Sequence, residues 1–453
     1  MSNFTASVQL LSQTCNERMV EFAGDIVKQA TEICGPPPCQ FAAVAIGSMA
    51  KGETTPYSDL EFLFLVKNED SVSYFEQLAF TAYFIIGNLQ ETKLKYMNIA
   101  ELNTENKWFY DMSVSGFKID GLQDDAGNIP TGNGTQSQKN KFIQTVDGLV
   151  NAYEHVFLHP DPEMSKIGDL SAMLSSTVLL YGEWYLHDDF VTRISAIEPT
   201  VLRREASIQM LQSDAAKFDH RPDKTLAHIK EVKKDFYRFP SIIIFDMKIL
   251  HVVQAPSVWK TINCLIAGGI LSPSVGDSLR VALSISLFAR LSAYSHQWSQ
   301  DDRMTILEPV QQLKGGPWVF PRELLIHYFL HCAPLEITEG SVAKTSYVGG
   351  DVDELTLIWA LYSCEDYRSV ITCVGLMKGS HAQSWMILRM YTHSLIQVGQ
   401  CNKAIEILIR GDTWDKNRGY SSTKCSLMGY AYEKRGDYSA ALEYHHKSLD
   451  INL

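Results

Sequence analysis

The chain has 453 residues and a formal net charge of −12, with no concentrated block of lysine and arginine, so it is not built to grip a nucleic-acid backbone, which takes clustered cations. It contains no run of eighteen apolar residues, and its start, MSNFTASVQLLSQTCNERM, lacks the basic opening and apolar core of a secretory leader; no membrane partner is expected, and the cytoplasm is the default location. Nine cysteines, an odd number without CxxC spacing, point to reduced thiols and away from a disulfide framework or a zinc site.

In chain order, apolar residues at helical spacing (Val8, Leu11, Met19, Phe22, Ile26, Ala30, Ile33) predict a helix over 8–33, stopped by GPPP. QFAAVAIGS, at 40–48, is a short continuous apolar run and predicts a buried strand that breaks at Gly47. LEFLFLV predicts a second strand at 60–66, followed by a helix at 71–88 and short strands near 92–98 and 114–120. The polar, glycine-rich segment 121–139 predicts a loop. From about 140 to 335 helical periodicity dominates and few convincing strands remain. The expected class is therefore α+β: a small mixed-sheet domain over 1–139, then an all-α domain over 140–335.

An internal repeat marks the rest. Gly436-Asp437-Tyr438 with Ala441 and Leu442 recurs 37 residues earlier as Gly399, Ala404 and Ile405, and more weakly 34 residues before that as Glu365-Asp366-Tyr367 with Val370 and Ile371. The segment LMGYAYEKRGDYSAALEYHHKSLDI resembles a tetratricopeptide repeat, in which small Gly429 and Ala441 would let two helices approach while Tyr432 and Leu442 fill the groove. An α-solenoid of such repeats is expected over 350–453. Because a solenoid needs a polar capping helix, a longer array in the intact protein is also expected.

The chemistry concentrates in GSMAKGETTPYSDLEF, residues 47–62. Gly47 and Gly52 have the spacing of a phosphate-binding P-loop, but Glu53 stands where that loop needs lysine and would repel phosphate, which excludes it. The plainest alternative is a glycine turn between two strands with an acidic patch beside it. A fuller account uses the alternation of a strand: Asp59 and Glu61 share one face, Leu60 and Phe62 the other, and two adjacent carboxylates are stabilised if a divalent cation bridges them.

Gly47-Ser48, ten residues, then Asp59-Leu60-Glu61 is similar to the signature of the DNA polymerase beta-like nucleotidyltransferase superfamily, and the whole stretch resembles the N-terminal nucleotidyltransferase domain of PII uridylyltransferases and of animal relatives that append tetratricopeptide repeats. The resemblance implies transfer of a nucleoside monophosphate from a nucleoside triphosphate, with loss of pyrophosphate, at a site using Mg2+ or Mn2+. Gly47 and Ser48 would hold the triphosphate; Asp59 and Glu61 would bind metal, Glu61 replacing the more usual aspartate. Lys51, where relatives often have arginine, and Glu53 would order the loop, with Lys51 counted among the nucleotide-binding residues. A third carboxylate is implied, as metal ligand and base: Asp120 is the candidate, with Asp124 and Asp125 in competition.

Lys230, Lys234 and Arg238 fall four residues apart on one predicted helix face. Most such stripes are solvated surface; if this one faces the cleft, Lys234 and Arg238 would contact phosphates. His155, His220, His228 and His381 show no metal-ligand spacing. Two functions follow: a nucleotidyltransferase whose repeats recruit a protein substrate or partner, or a catalytically degenerate scaffold with a peptide-binding repeat domain.

Overall fold

The computed structural model describes residues 1–89, 130, 142–158, 174–197, 201–217, 229–297, 303–305, 318–332, 335–338, 341–344, 352–377, 385–410 and 418–452. The strands predicted near 92–98 and 114–120, and Asp120, Asp124 and Asp125, lie outside them. The described residues form two compact units, one up to 320 together with 335–344, the other from 321–332 and from 352 onward.

The first unit is built on a four-stranded sheet, and it fits the α+β class. Helix α1 (Ser2–Cys34) leads into β1 (Phe41–Ala45), a single helical turn α2 (Gly47–Ala50), β2 (Phe62–Val66) and α3 (Val72–Gly87). β3 (Ile143–Gln144), α4 (Val146–Leu158), β4 (Val178–Gly182) and α5 (Trp184–Ala196) follow. The strand order is β3-β2-β1-β4, with β1 antiparallel to both neighbours and β3 parallel to β2.

Two of these strands lie beyond residue 139, where the sequence predicts few, and this corrects that expectation. β4 is VLLYG, an apolar run too short for periodicity to separate strand from helix, and β3 is only two residues long. Further small pairings join β5 (Ile229–Glu231), β6 (Arg303–Thr305) and β7 (Trp318–Val319), and β8 (Leu335–Thr338) with β9 (Ser341–Lys344).

Both faces of β1 and β2 are buried, which explains their near-continuous apolar sequence. On one face Ala43, Ala45, Phe62, Phe64 and Val66 pack against α1 and α3. On the other, Val44, Ile46, Leu63 and Leu65 meet α4, α5 and a later helix, α7 (Arg238–Leu250), through Phe245 and Ile249. α6 (Val201–Lys217) precedes α7; α8 (Val258–Ala267) and α9 (Pro273–Gln297) follow it. A π-helical turn, Lys233–Tyr237, runs directly into α7. Among the described residues no helix is long and apolar enough to cross a membrane.

The second unit contains α10 (Arg322–Cys332) and three helical hairpins: α11 (Val352–Ser363) with α12 (Tyr367–Leu376), α13 (Trp385–Gln397) with α14 (Cys401–Arg410), and α15 (Arg418–Arg435) with α16 (Tyr438–Asn452). The three hairpin turns are closed alike. Glu365, Gly399 and Gly436 take φ of 57°, 84° and 87°. The next amide then reaches back five residues, from Asp366 to Leu361 O, Gln400 to Leu395 O and Asp437 to Tyr432 O, at 2.8–2.9 Å. This is the Schellman closure, in which the left-handed residue is best supplied by glycine. Gly429 lets α16 approach α15, since a β-carbon there would lie 2.7 Å from the His445 ring. Leu442, expected to fill the groove, is instead 61% exposed, because α16 turns Ala441 and not Leu442 toward α15. All nine cysteines are free thiols.

Phe64 is fully buried among Phe41, Phe62 and Phe75. Phe64→Ala is expected to cost about 3–5 kcal/mol, read from urea unfolding.

Candidate active site

The stretch 47–62 connects the two most deeply buried strands. Ile46 donates its amide to Glu61 O at 2.9 Å, which sets residues 46 and 61 side by side. Gly47 then turns the chain with φ of +63°, a value that favours glycine. A β-carbon on Gly47 would fall 1.3 Å from Glu61 Oε2, so the flexible end of that side chain would have to move aside. The Glu61 carboxylate therefore occupies the volume that any other residue at 47 would need. Leu60 and Phe62 are wholly buried, while Asp59 and Glu61 stay partly exposed, as does Ser48, whose hydroxyl lies 3.4 Å from Thr54 Oγ1. The structure thus brings Gly47, Ser48 and Glu61 into one place, with Asp59 two residues before Glu61 in the chain.

The loop between is clamped on three sides. Glu53 donates its amide to Ser48 O at 2.9 Å, Ser12 of α1 donates to Gly52 O at 3.2 Å, and Val258 at the start of α8 donates to Lys51 O at 2.9 Å. The Glu53 side chain is fully buried, and its Oε2 accepts hydrogen bonds from Tyr237 at 2.8 Å and Ser241 at 2.7 Å. Oε1 has no hydrogen-bond partner, and the Arg290 guanidinium stacks 4.3 Å over the Tyr237 ring. Burial raises the Glu53 carboxyl above its ordinary range, against the opposing pull of Lys51, the two hydrogen bonds and Arg290.

Lys51 rests its ammonium 3.9 Å above the Phe245 ring. Beside it is a cavity of about 10 Å³, lined in part by Ser176, Ser241, Lys248 and Ser257, with room for a single water and far too small for a nucleotide. Buried Lys248 donates to Ser176 Oγ, to Ser175 O at 3.2 Å and to Ala255 O at 3.0 Å, and burial together with Lys51 lowers it to about 8. Asp246, also buried, is held well above the ordinary carboxylate value by burial and by Asp214.

Lys234 is exposed and pairs with Glu231, and Arg238 is exposed; the contacts from this helix to the loop come from Tyr237, Ser241 and Phe245. Neither Tyr237 nor Ser241 is marked by charge or motif in the sequence. Their signal was a polar pair at i, i+4 inside the apolar run DFYRFPSIII, where each hydroxyl needs a buried acceptor.

The side-chain donors of Asp59, Glu61 and Ser48 are all hard oxygens, the chemistry that suits Mg2+ or Mn2+. Among the described residues no three metal-ligating side chains cluster. Residues 1–109 match the family described as "Putative nucleotidyltransferase DUF294". That match covers α1, β1, β2 and the whole 47–62 stretch and supports a nucleotidyltransferase domain, the class to which nucleotidyl transfer from a nucleoside triphosphate belongs. No curated protein matches the chain.

The raised carboxyl has a consequence for stability. Folded protein keeps the Glu53 proton to higher pH than the unfolded chain, so the contribution of this group is full below the ordinary carboxylate value and is lost as pH rises through the folded one. Glu53→Gln cannot titrate and should lose less stability than the wild type between about pH 4.5 and 8 in urea unfolding. Glu53→Ala strands two buried hydroxyls and should cost about 2–3 kcal/mol at the acid end of that range, and less as the pH rises.

Proposed function

We propose that the first unit transfers a nucleoside monophosphate from a nucleoside triphosphate to a hydroxyl of a protein or small molecule, in the manner of PII uridylyltransferases. The observation that carries this reading is the seating of the Glu61 carboxylate on Gly47, because it joins a glycine turn suited to phosphate with a carboxylate suited to metal. The acceptor oxygen attacks the α-phosphorus, the bond from that phosphorus to the oxygen bridging to the β-phosphate breaks, pyrophosphate leaves, and the hydroxyl proton passes to a base. Gly47 and the Ser48 hydroxyl receive the triphosphate; Asp59 and Glu61 hold the magnesium or manganese, with Asp120 the proposed third ligand and base. When bound, the metal would supply the positive charge that a P-loop draws from lysine. Glu53 faces inward and fixes the loop. Lys234 and Arg238 remain candidates for the outer phosphates on sequence grounds alone.

The hairpins of the second unit, with their spacings of 34 and 37 residues and shared closures, support a tetratricopeptide-like array that binds a protein substrate or partner. The second reading is a catalytically degenerate scaffold with a peptide-binding repeat domain, which holds if no third carboxylate joins Asp59 and Glu61.

The test is label transfer: the protein, each labelled nucleoside triphosphate, magnesium or manganese, and a cell extract as acceptor source. Labelled product is expected with one triphosphate, reduced about a hundredfold or more in Asp59→Ala and in Glu61→Ala whose circular dichroism is unchanged. Absence of both transfer and metal-dependent nucleotide binding would leave the scaffold.

A further inference from the structure

The 47–62 loop has a second anchor, four residues after Glu53. Thr55 and Ser58, both buried, close a turn on each other: Ser58 donates its amide to Thr55 O at 2.9 Å, Thr55 donates its own to Ser58 Oγ at 2.9 Å, and the two hydroxyls lie 2.9 Å apart. Pro56 stands at the first corner of that turn, which suits its fixed φ, and half-buried Tyr57 stands at the second. These bonds set the shape of the turn but not its direction, because all of them stay within it.

Direction comes from the Tyr57 ring, which meets Tyr294 of α9 edge to face, with centroids 5.5 Å apart and planes at 68°. Tyr294 is buried, and so is Arg290 one helical turn before it. Arg290 donates to the Tyr294 hydroxyl at 3.4 Å, while its guanidinium lies 4.3 Å over the ring of Tyr237, the residue that donates to Glu53. Loop residues 53 and 57 therefore end on the same guanidinium, one through each tyrosine. A flat, weakly hydrated cation that stacks on aromatic faces is suited to that place, and an ammonium is not.

Asp59 follows the turn directly. Asp59 and Glu61 alternate with buried Ser58, Leu60 and Phe62, so the two carboxylates share one face and repel. A cation that finds both held in place binds more tightly than one that must first gather them. We infer that Tyr57 is a positioning residue for Asp59: its ring braces the loop tip on Tyr294 and Arg290 and so presets the Asp59–Glu61 pair for a divalent cation, a role that rests on the metal-binding reading of those two carboxylates.

The test uses the full chain with Mn2+ alone as the probe, read from the electron paramagnetic resonance of the free ion, together with hydrogen exchange over residues 55–61. Tyr57→Ala should weaken Mn2+ binding about three- to tenfold and speed that exchange by a similar factor. Tyr57→Phe keeps the ring edge and should match the wild type in both. Tyr57 is half-buried, so circular dichroism should not change. Exchange unmoved by Tyr57→Ala overturns the brace. Exchange that speeds while Mn2+ affinity holds leaves Tyr57 a structural part only and overturns its positioning role. A wild type that holds no Mn2+ overturns the metal reading and the positioning role with it; the other two failures differ in that the wild type still binds the ion.

Discussion

Gly47 turns the chain in the left-handed region with the Glu61 carboxylate resting against it, and the site depends on that arrangement. The left-handed φ there would strain most side chains, and the Glu61 carboxylate already fills the space one would need. The seat is fixed by strand register, since β1 and β2 pair Ala45 with Phe62 and the next step joins the Ile46 amide to the Glu61 carbonyl. A slip of one residue would turn Glu61 into the core and Phe62 out of it, at a prohibitive cost in buried apolar area. The hydrophobic pattern of two strands thus places one carboxylate on one glycine.

The rest of the loop is held from the other side. Glu53 enters the apolar layer around α7 and ends on two hydroxyls, with Arg290 behind the tyrosine ring. A buried carboxylate with one unpartnered oxygen is costly, and its cost is tolerated where the group fixes a geometry that packing alone would leave loose. The acidic residue that spoils the P-loop pattern therefore does not face phosphate. It turns inward, and Lys51 beside it lies over an aromatic ring.

Much of this was legible in the sequence. FAAVA and FLFLV read as strands because both their faces are buried, and α1 and α3 show their periodicity because only one face is. β4 was hidden because an edge strand of five residues carries too little pattern. On the helix that meets the loop, the lysine and arginine stripe is conspicuous by its charge, whereas the hydroxyls that touch Glu53 lie inside an apolar run. The hairpins were legible through their glycine turns; the first was faint because Glu365 takes the left-handed position without being glycine. Leu442 was misplaced because the repeat fixes which residues are apolar but not which of two neighbouring faces is closed, and that depends on what packs next.

The seating of Glu61 on Gly47 is tested by a double-mutant cycle in urea unfolding with Gly47→Ala, Glu61→Ala and the pair. The seat predicts coupling: Gly47→Ala is destabilising alone, and about 1–3 kcal/mol of that loss is recovered when Glu61 is also alanine, leaving the strain of the turn. Additive losses, with no recovery in the pair, would contradict it.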